Sequence, residues 1–406
     1  TKELFTLEEA MAAMFAGNAV LFVDGYDRAI KIGSKGYPGS GVQKTDSEKG
    51  LRGSKEAFSE SVKMNTALIR KRIRNAKMKA EEKQVGRYSA TTTALLYLDG
   101  VVYLPICEEM RKRLDAFEVD GIEDGGMIEY LTRKKKEGRF PVYQTTERPD
   151  RAAQAILEGR VVLLTDNSPE ALIFPATLNS LFQTADDYYR NERIVTFLRL
   201  IRYVAAFLAL ALPGLYVAAA TFHPQLLPGN LISSMAEARS GVPFPTAAEV
   251  LLMELSFELL REAGLRMPGP AGNTIGIVGG LIVGQAAVSA NLVSPITVTV
   301  AALTALGSFS IPNEELSEVF RLWKYGILLL GSCFGILGVM LGCFLLLMLM
   351  AEQESYGIPW LYPYVGGNLN ERADEKDSMF LAAARKRKRR PIFAKWGNRI
   401  RFRRKS

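Results

Sequence analysis

The sequence predicts an α/β soluble region followed by an all-α polytopic membrane domain, with about four transmembrane helices plus one amphipathic or re-entrant helix. Three observations predict it. Residues 1–194 are mostly polar and charged, and their β-rich runs alternate with stretches of helical spacing. Residues 203–222 and 323–351 are apolar runs long enough to cross a hydrocarbon core of about 30 Å. Residues 274–293 carry no charge and are rich in Gly, Ala and Ser, a composition that lets helices approach closely in lipid.

Composition sharpens this division. At 406 residues the chain is too long for one compact core, and its mean hydropathy of +0.05 averages two unlike halves. The net charge of +8 is equally an average: Ser378 to Ser406 holds twelve Lys or Arg and no acid, so the rest of the chain, the total less those twelve, is net −4. A polybasic segment soon after a hydrophobic span reads as cytoplasmic and as attracted to anionic membrane lipid, in preference to nucleic acid. Cys107, Cys333 and Cys343 make no metal or disulfide pattern. The chain begins at Thr1 without a signal-like leader, so either internal spans insert it or its true N-terminus is missing. No phosphate-cradling GxxxxGK[ST], dinucleotide GxGxxG, HExxH or GxSxG pattern occurs, and there is one histidine. The expectation is no enzyme, hence no catalytic residue, no cofactor and no metal.

Four stretches are expected: an α/β soluble subdomain at 1–125, a second soluble subdomain at 126–198, a transmembrane domain at 199–352 and a basic cytoplasmic tail at 353–406. LEEAMAAMFAG reads as a helix, and Asp24-Gly25 as the turn between two β-rich runs. Residues 34–50 read as a loop. In LRGSKEAFSESVKMNTALIRKRIRNAKM, Phe58, Val62, Leu68, Ile69 and Ile73 give helical spacing under a basic face. After a polar linker, SATTTALLYLDGVVYLP reads as two strands around Asp99 and Gly100, and CEEMRKRLDAFEV as a helix. MIEYLTRK is helical, and YQTTERPDRAAQAILEGRVVLLTDNSP reads as turn, helix and strand, capped by Thr145 or Thr146 with Pro149 in its first turn. Thr146, Glu147, Arg148, Pro149 and Asp150 thus make a helix start with a local ion pair. Arg52, Glu56, Asn65, Arg70 and Arg72 read as contacts between protomers or to a partner.

In the membrane region the first span is 203–222, kinked at Pro213 and Gly214. His223 follows as an interfacial polar residue. The next helix, 246–266, stacks Glu254, Glu258 and Glu262 in one row, with Arg261 and Arg266 beside it. One reading makes the row a cation-attracting pore lining; the other makes this an interfacial helix at the outer face, its acids facing water and paired with Arg261 and Arg266. The spans 274–293, 295–311 and 323–351 complete four crossings. Gly276, Gly279, Gly280, Gly284, Gln285 and Ser289 serve either a pore wall or close packing, and Gln285, an amide in an uncharged span, is expected to face a lumen or an interface.

LRGSKEAFSESVKMNTALIRKRI, TTERPDRAAQAILEGRVVLL, ADDYYRNER, GVPFPTAAEVLLMELSFELLREAGLRMP and GNTIGIVGGLIVGQAAV, in that order, resemble the A-subunit family of bacterial spore germinant receptors, the GerA family, which includes a stage V sporulation paralogue. The resemblance runs over residues 8–367. It implies a protein of the spore inner membrane acting in nutrient-triggered germination, partnered by receptor B and C subunits, and forming a homo-oligomeric channel that releases cations; a non-conducting scaffold or signalling subunit is the alternative. Family members usually carry a further soluble stretch before the part matching Thr1, so the resemblance also implies an abbreviated N-terminal portion.

Overall fold

The computed structural model describes residues 2–15, 19–32, 48, 50, 52–134, 137–266, 270–366 and 374–401. They form two compact units, Thr1–Phe197 with Ala351–Ser406, and Leu198–Met350. The expected loop at 34–50 lies almost wholly outside the described residues.

The α/β unit opens with a small sheet of β1 (Lys2–Leu4), β2 (Ala19–Phe22) and β3 (Ala29–Ile32) in the order β1-β3-β2, on which α1 (Leu7–Phe15) packs Ala10 and Ala13. The Asp24-Gly25 turn closes its hairpin, with Gly25 at φ +79°. Next come α2 (Val62–Arg72), β4 (Met78–Val85), β5 (Thr91–Leu98), α3 (Leu104–Asp115), α4 (Gly125–Thr132), β6 (Gln144–Thr146), α5 (Pro149–Glu158), β7 (Val161–Thr165) and β8 (Ala171–Phe174). The strands make one antiparallel sheet ordered β4-β5-β7-β8-β6. Strand alternation splits its side chains between two cores. Ala94, Leu96, Val162 and Leu164 pack with α2 and α5, while Leu95, Tyr97, Leu163 and Leu172 pack with α3 and α4.

Three expectations change here. The sheet crosses residue 125, so the two stretches expected as separate subdomains share one fold. The partner of β5 is β4, expected as linker, and the hairpin at Asp99 and Gly100 does not form: past the turn only Val102 bridges, to Ala394. As an edge strand β4 buries little besides Met78 and Val85, so Lys and Glu fill it and mask the strand signal. The stretch expected as a tail is a third correction, because its described residues, 353–366 and 374–401, pack on the α/β unit. Trp360 is fully buried and stacks on Phe140, and Tyr356 lies in the core against Tyr143 and Phe174.

The helical unit contains most of α7 (Glu192–Thr221), then α8 (Gly229–Ala238), α9 (Thr246–Arg266), α10 (Pro270–Ser289), α11 (Pro295–Phe309) and α12 (Glu314–Glu352). By length and composition α7 and α12 are each able to cross a bilayer. Yet α12 is broken at Gly335, where φ is +63° and ψ −143°. A Cβ on Gly338 would meet the Leu330 carbonyl oxygen at 1.9 Å, and one on Gly342 the Ile327 Cα at 3.4 Å. Residues 8 or 15 apart on a straight helix stand about 12 or 22 Å apart. The chain therefore folds back at Gly335, and its arms, 314–334 and 336–352, pack antiparallel through glycines.

Neighbouring contacts fix the other directions. Gly307 lies on Ala205 and Ala209, and Thr297 near Tyr216, so α7 and α11 are antiparallel. Gly279 meets Leu260 and Ala287 clusters with Met253, so α9 and α10 are antiparallel. Val250 meets Leu328 while Arg261 meets Glu314, so α9 and the first arm of α12 are antiparallel. Six segments (α7, α9, α10, α11 and the two arms) thus alternate in direction, and both ends of the unit return to the same end of the bundle. This arrangement does not confirm four crossings beside a surface helix, since α9 packs against α10, α11 and the first arm of α12, and the last apolar run doubles back on itself.

Candidate functional site

The feature of the helical unit that chemistry must explain is its buried charge. Glu249, Glu254, Glu258 and Arg261 follow one another along α9, and each meets an opposite charge from another segment. Glu249, with no side-chain exposure, pairs with Arg239 just past α8 at 3.1 Å and accepts hydrogen bonds from the Ser294 N–H at 2.9 Å and the Thr297 hydroxyl at 3.0 Å. It thereby caps the start of α11. Glu254 accepts from the Lys324 Nζ at 2.5 Å, both side chains being buried. Glu258 pairs with Arg321 at 2.5 Å, and Arg261 with Glu314 at 3.6 Å. Glu262 alone keeps a partner on its own helix, Arg266, at 2.6 Å and in the open.

This ladder bears on both readings of the glutamate row. The acids are not an uncompensated ring: the two most buried of the expected three are neutralised across helices by Lys324 and Arg321. Nor does the whole row face water: Glu254 is buried and Glu258 half-buried, and Glu262 alone stands in the open, paired with Arg266. Two charges in an apolar bundle need this closeness, because an unpaired one costs several kcal/mol, on the order of 3 to 5.

The α10 residues separate into two sets. A Cβ on Gly280 would meet Phe257 at 3.6 Å and one on Gly284 would meet Val298 at 3.3 Å, so these glycines let α9 and α11 approach. Gln285 and Ser289 are exposed on the opposite face. Gly276 lies where α10 side chains are outside the described residues. Among the described residues no His, Cys, Asp or Glu cluster could hold a metal.

Comparison with known proteins places the chain. The family model described as Bacillus/Clostridium GerA spore germination protein matches residues 1–393. The chain belongs to the GerA family. Among relatives, an uncharacterized membrane protein, YfkQ, of Bacillus subtilis (strain 168) is 38% identical over 93% of this chain and 73% of its own length. Spore germination protein KA of the same organism is 35% identical over 88% of this chain and 65% of its own length, and spore germination protein A1 is 36% identical over 88% and 74%. The crystal structure of the N-terminal domain of the A subunit of the Bacillus megaterium spore germinant receptor GerK3 matches 44% of this chain and 63% of that one, at 28% identity and a TM-score of 0.32.

In this GerA-family chain the five candidate contact residues are largely engaged within the α/β unit. Glu56 accepts from Lys71 at 2.7 Å and Arg72 at 2.6 Å, and Arg72 also donates to the Ser54 hydroxyl at 2.9 Å. Hydrogen bonding to Lys71, reinforced by Arg72, holds the Glu56 carboxyl below its usual range. Asn65 is buried and clasps the backbone of Ser59 through both ends of its amide. Together they pin the stretch before α2 to that helix. Arg70 is half-buried on α2, and Arg52 is exposed, reaching the Tyr189 carbonyl at 3.4 Å. The expected ion pair at the start of α5 is present, Arg148 to Asp150 at 2.8 Å, but Thr146 sits in β6 and the capping position falls to Arg148.

Sequence reasoning missed Glu249, Glu314, Arg321 and Lys324. For Lys324 a signal existed: it is an ammonium inside the apolar run 323–351, where an ionisable residue asks for a partner.

Proposed function

We propose that this chain is the A-type membrane subunit of a germinant receptor, acting in nutrient-triggered spore germination as an oligomeric channel that releases cations. In this reading it works in the spore inner membrane with receptor B and C subunits, its α/β unit in the cytoplasm, and α10 lines the path. The carrying observation is the outward face of α10. Gln285 and Ser289 are exposed there on an uncharged 20-residue helix whose Gly279, Gly280 and Gly284 are taken up by α9 and α11. An amide directed at hydrocarbon is costly, so Gln285 calls for water or a second protein surface. A ring of such helices supplies both.

The closed ion pairs on α9 favour a second reading, a non-conducting scaffold or signalling subunit, because they leave the buried glutamates with no charge to offer an ion. Flux separates the two. The full chain, reconstituted in vesicles with B and C subunits and nutrient, is expected to pass monovalent cations, and Gln285→Leu to lower that flux with Glu262→Gln leaving it unchanged. Vesicles that hold the assembled complex and pass no cations would leave the scaffold.

A further inference from the structure

The basic C-terminal segment is folded, and its fold sorts its side chains. Residues 388–390 pair antiparallel with 399–401: the Arg401 N–H donates to the Lys388 carbonyl at 2.8 Å and Arg389 bridges Ile400. This small hairpin is strapped to the α/β unit. The Lys395 N–H donates to the Val101 carbonyl at 2.7 Å, the Asn398 amide to the Gly100 carbonyl at 3.0 Å, and Arg390 to the Leu157 carbonyl at 2.9 Å. Ala394 closes on Gly159, where a Cβ would have only 2.7 Å. Phe393 and Ala394 are buried beneath the strap, yet Trp396 and Ile400 are 67% and 50% exposed. Arg385, Lys386, Lys388 and Lys395 are exposed as well. A hairpin that buries two apolar residues but leaves its tryptophan and an isoleucine outside, among lysines and arginines, has an outer face with no cover in the chain as described.

We propose that this strap docks on an anionic phospholipid surface, with Trp396 and Ile400 entering the headgroup layer and Arg385, Lys386, Lys388 and Lys395 meeting the lipid phosphates. Charge complementarity and side-chain type choose the occupant. Ammonium and guanidinium groups gather at an anionic leaflet, and an indole with a polar edge and an apolar body suits its boundary. A nucleic-acid surface is served by aromatic rings stacked on bases, whereas here Arg399 already lies over the Trp396 ring at 4.1 Å and Ile400 has no stacking face. The inference rests on the membrane reading only in that a bilayer is present; it is independent of conduction.

The test is amide hydrogen exchange on the full chain in nanodiscs of phosphatidylcholine alone and of phosphatidylcholine with phosphatidylglycerol. Exchange over 385–401 is expected to slow in the anionic discs, and the protection to be lost in high salt. Each lysine neutralised should weaken surface partition about fivefold, so Lys386→Gln with Lys388→Gln should abolish the difference while exchange at 140–143 is unchanged. Trp396→Ala should weaken it at constant charge. Equal exchange of the wild-type strap in both discs overturns the proposal without bearing on flux. Protection in neutral discs on adding an RNA oligonucleotide, with none from phosphatidylglycerol, overturns it in favour of nucleic acid.

Discussion

Lys324 and Glu254 solvate each other. Their charged atoms are 2.5 Å apart and both side chains are buried, so neither has water to replace a lost partner. Lys324→Met leaves a carboxylate alone in the bundle and is expected to destabilise it by about 3–5 kcal/mol. Glu254→Gln combined with Lys324→Met removes both charges and should regain most of that loss. Thermal unfolding of the four proteins in one detergent reads the cycle; a double variant no more stable than Lys324→Met alone shows that the two groups do not act as a pair. Asp150 poses the same problem in the α/β unit, with pH as the lever. Burial works to raise its carboxyl, but hydrogen bonds from Arg148 at 2.8 and 3.1 Å outweigh it and hold the group below the ordinary range. Stability from a depressed carboxyl is complete above the unfolded value of about 3.9 and disappears as pH falls through the lower folded value. Asp150→Asn should therefore cost about 3 kcal/mol at neutral pH, and the gap between the two proteins should close on acidification below about pH 4. A gap independent of pH would assign the loss to packing. The Arg148–Asp150 pair was legible in the sequence because its members are two residues apart. Lys324 was not found as a partner, since 70 residues separate it from Glu254 and spacing reports only what one helix brings together.

Among the elements α12 departs furthest from its sequence. An apolar run over 323–351 reads as one long span, and nothing in a hydropathy pattern marks a reversal made by a single glycine with no loop around it. The glycines of this run do carry the information, but they read equally well as close packing in lipid, which they also provide. By contrast α5 was legible throughout, from Pro149 in its first turn to Gly159 in the left-handed conformation that ends it. At Gly335 the backbone occupies a region nearly exclusive to glycine, and a Cβ there would stand 2.9 Å from the His223 ring and 3.1 Å from the Phe222 Cβ. Gly335→Ala is expected to cost about 1–3 kcal/mol from the backbone alone. Gly326 belongs to the same helix and has open space around it, so Gly326→Ala is the matched control. A lower unfolding midpoint in detergent for Gly335→Ala only is the expected result, and equal midpoints would mean that α12 does not fold back.

At the scale of the molecule, the chain passes once through the α/β fold, leaves for the helical unit and returns to complete what it left unfinished. Its charge obscured this. Twelve cations near the end read as a tail, whereas the aromatic run just before them, YGIPWLYPYV, belongs to a core. Immediately after α12, the Gln353 amide pairs with the Phe140 backbone at 3.1 and 2.8 Å, Ser355 donates to the Val142 carbonyl at 3.0 Å, and the Trp360 indole donates to the Pro141 carbonyl at 2.7 Å. The Tyr356 hydroxyl meets that of Tyr143 at 2.6 Å while Arg113 lies 4.2 Å from its ring centre. The residues that follow α12 thus belong to the interior of the α/β unit. A chain ending at Glu352 would strand Phe140, Tyr143 and Phe174. Losing one large buried aromatic costs about 3–5 kcal/mol, and losing both Tyr356 and Trp360 approaches the whole stability of a domain, about 5–15 kcal/mol. The intact protein is expected to yield a trypsin-resistant core that includes residues 52–197, the truncated chain to lose it, and Trp360→Ala in the full chain to shorten that core's lifetime. A core of unchanged lifetime from the truncated chain would mean that the fold is complete before the chain enters the helical unit.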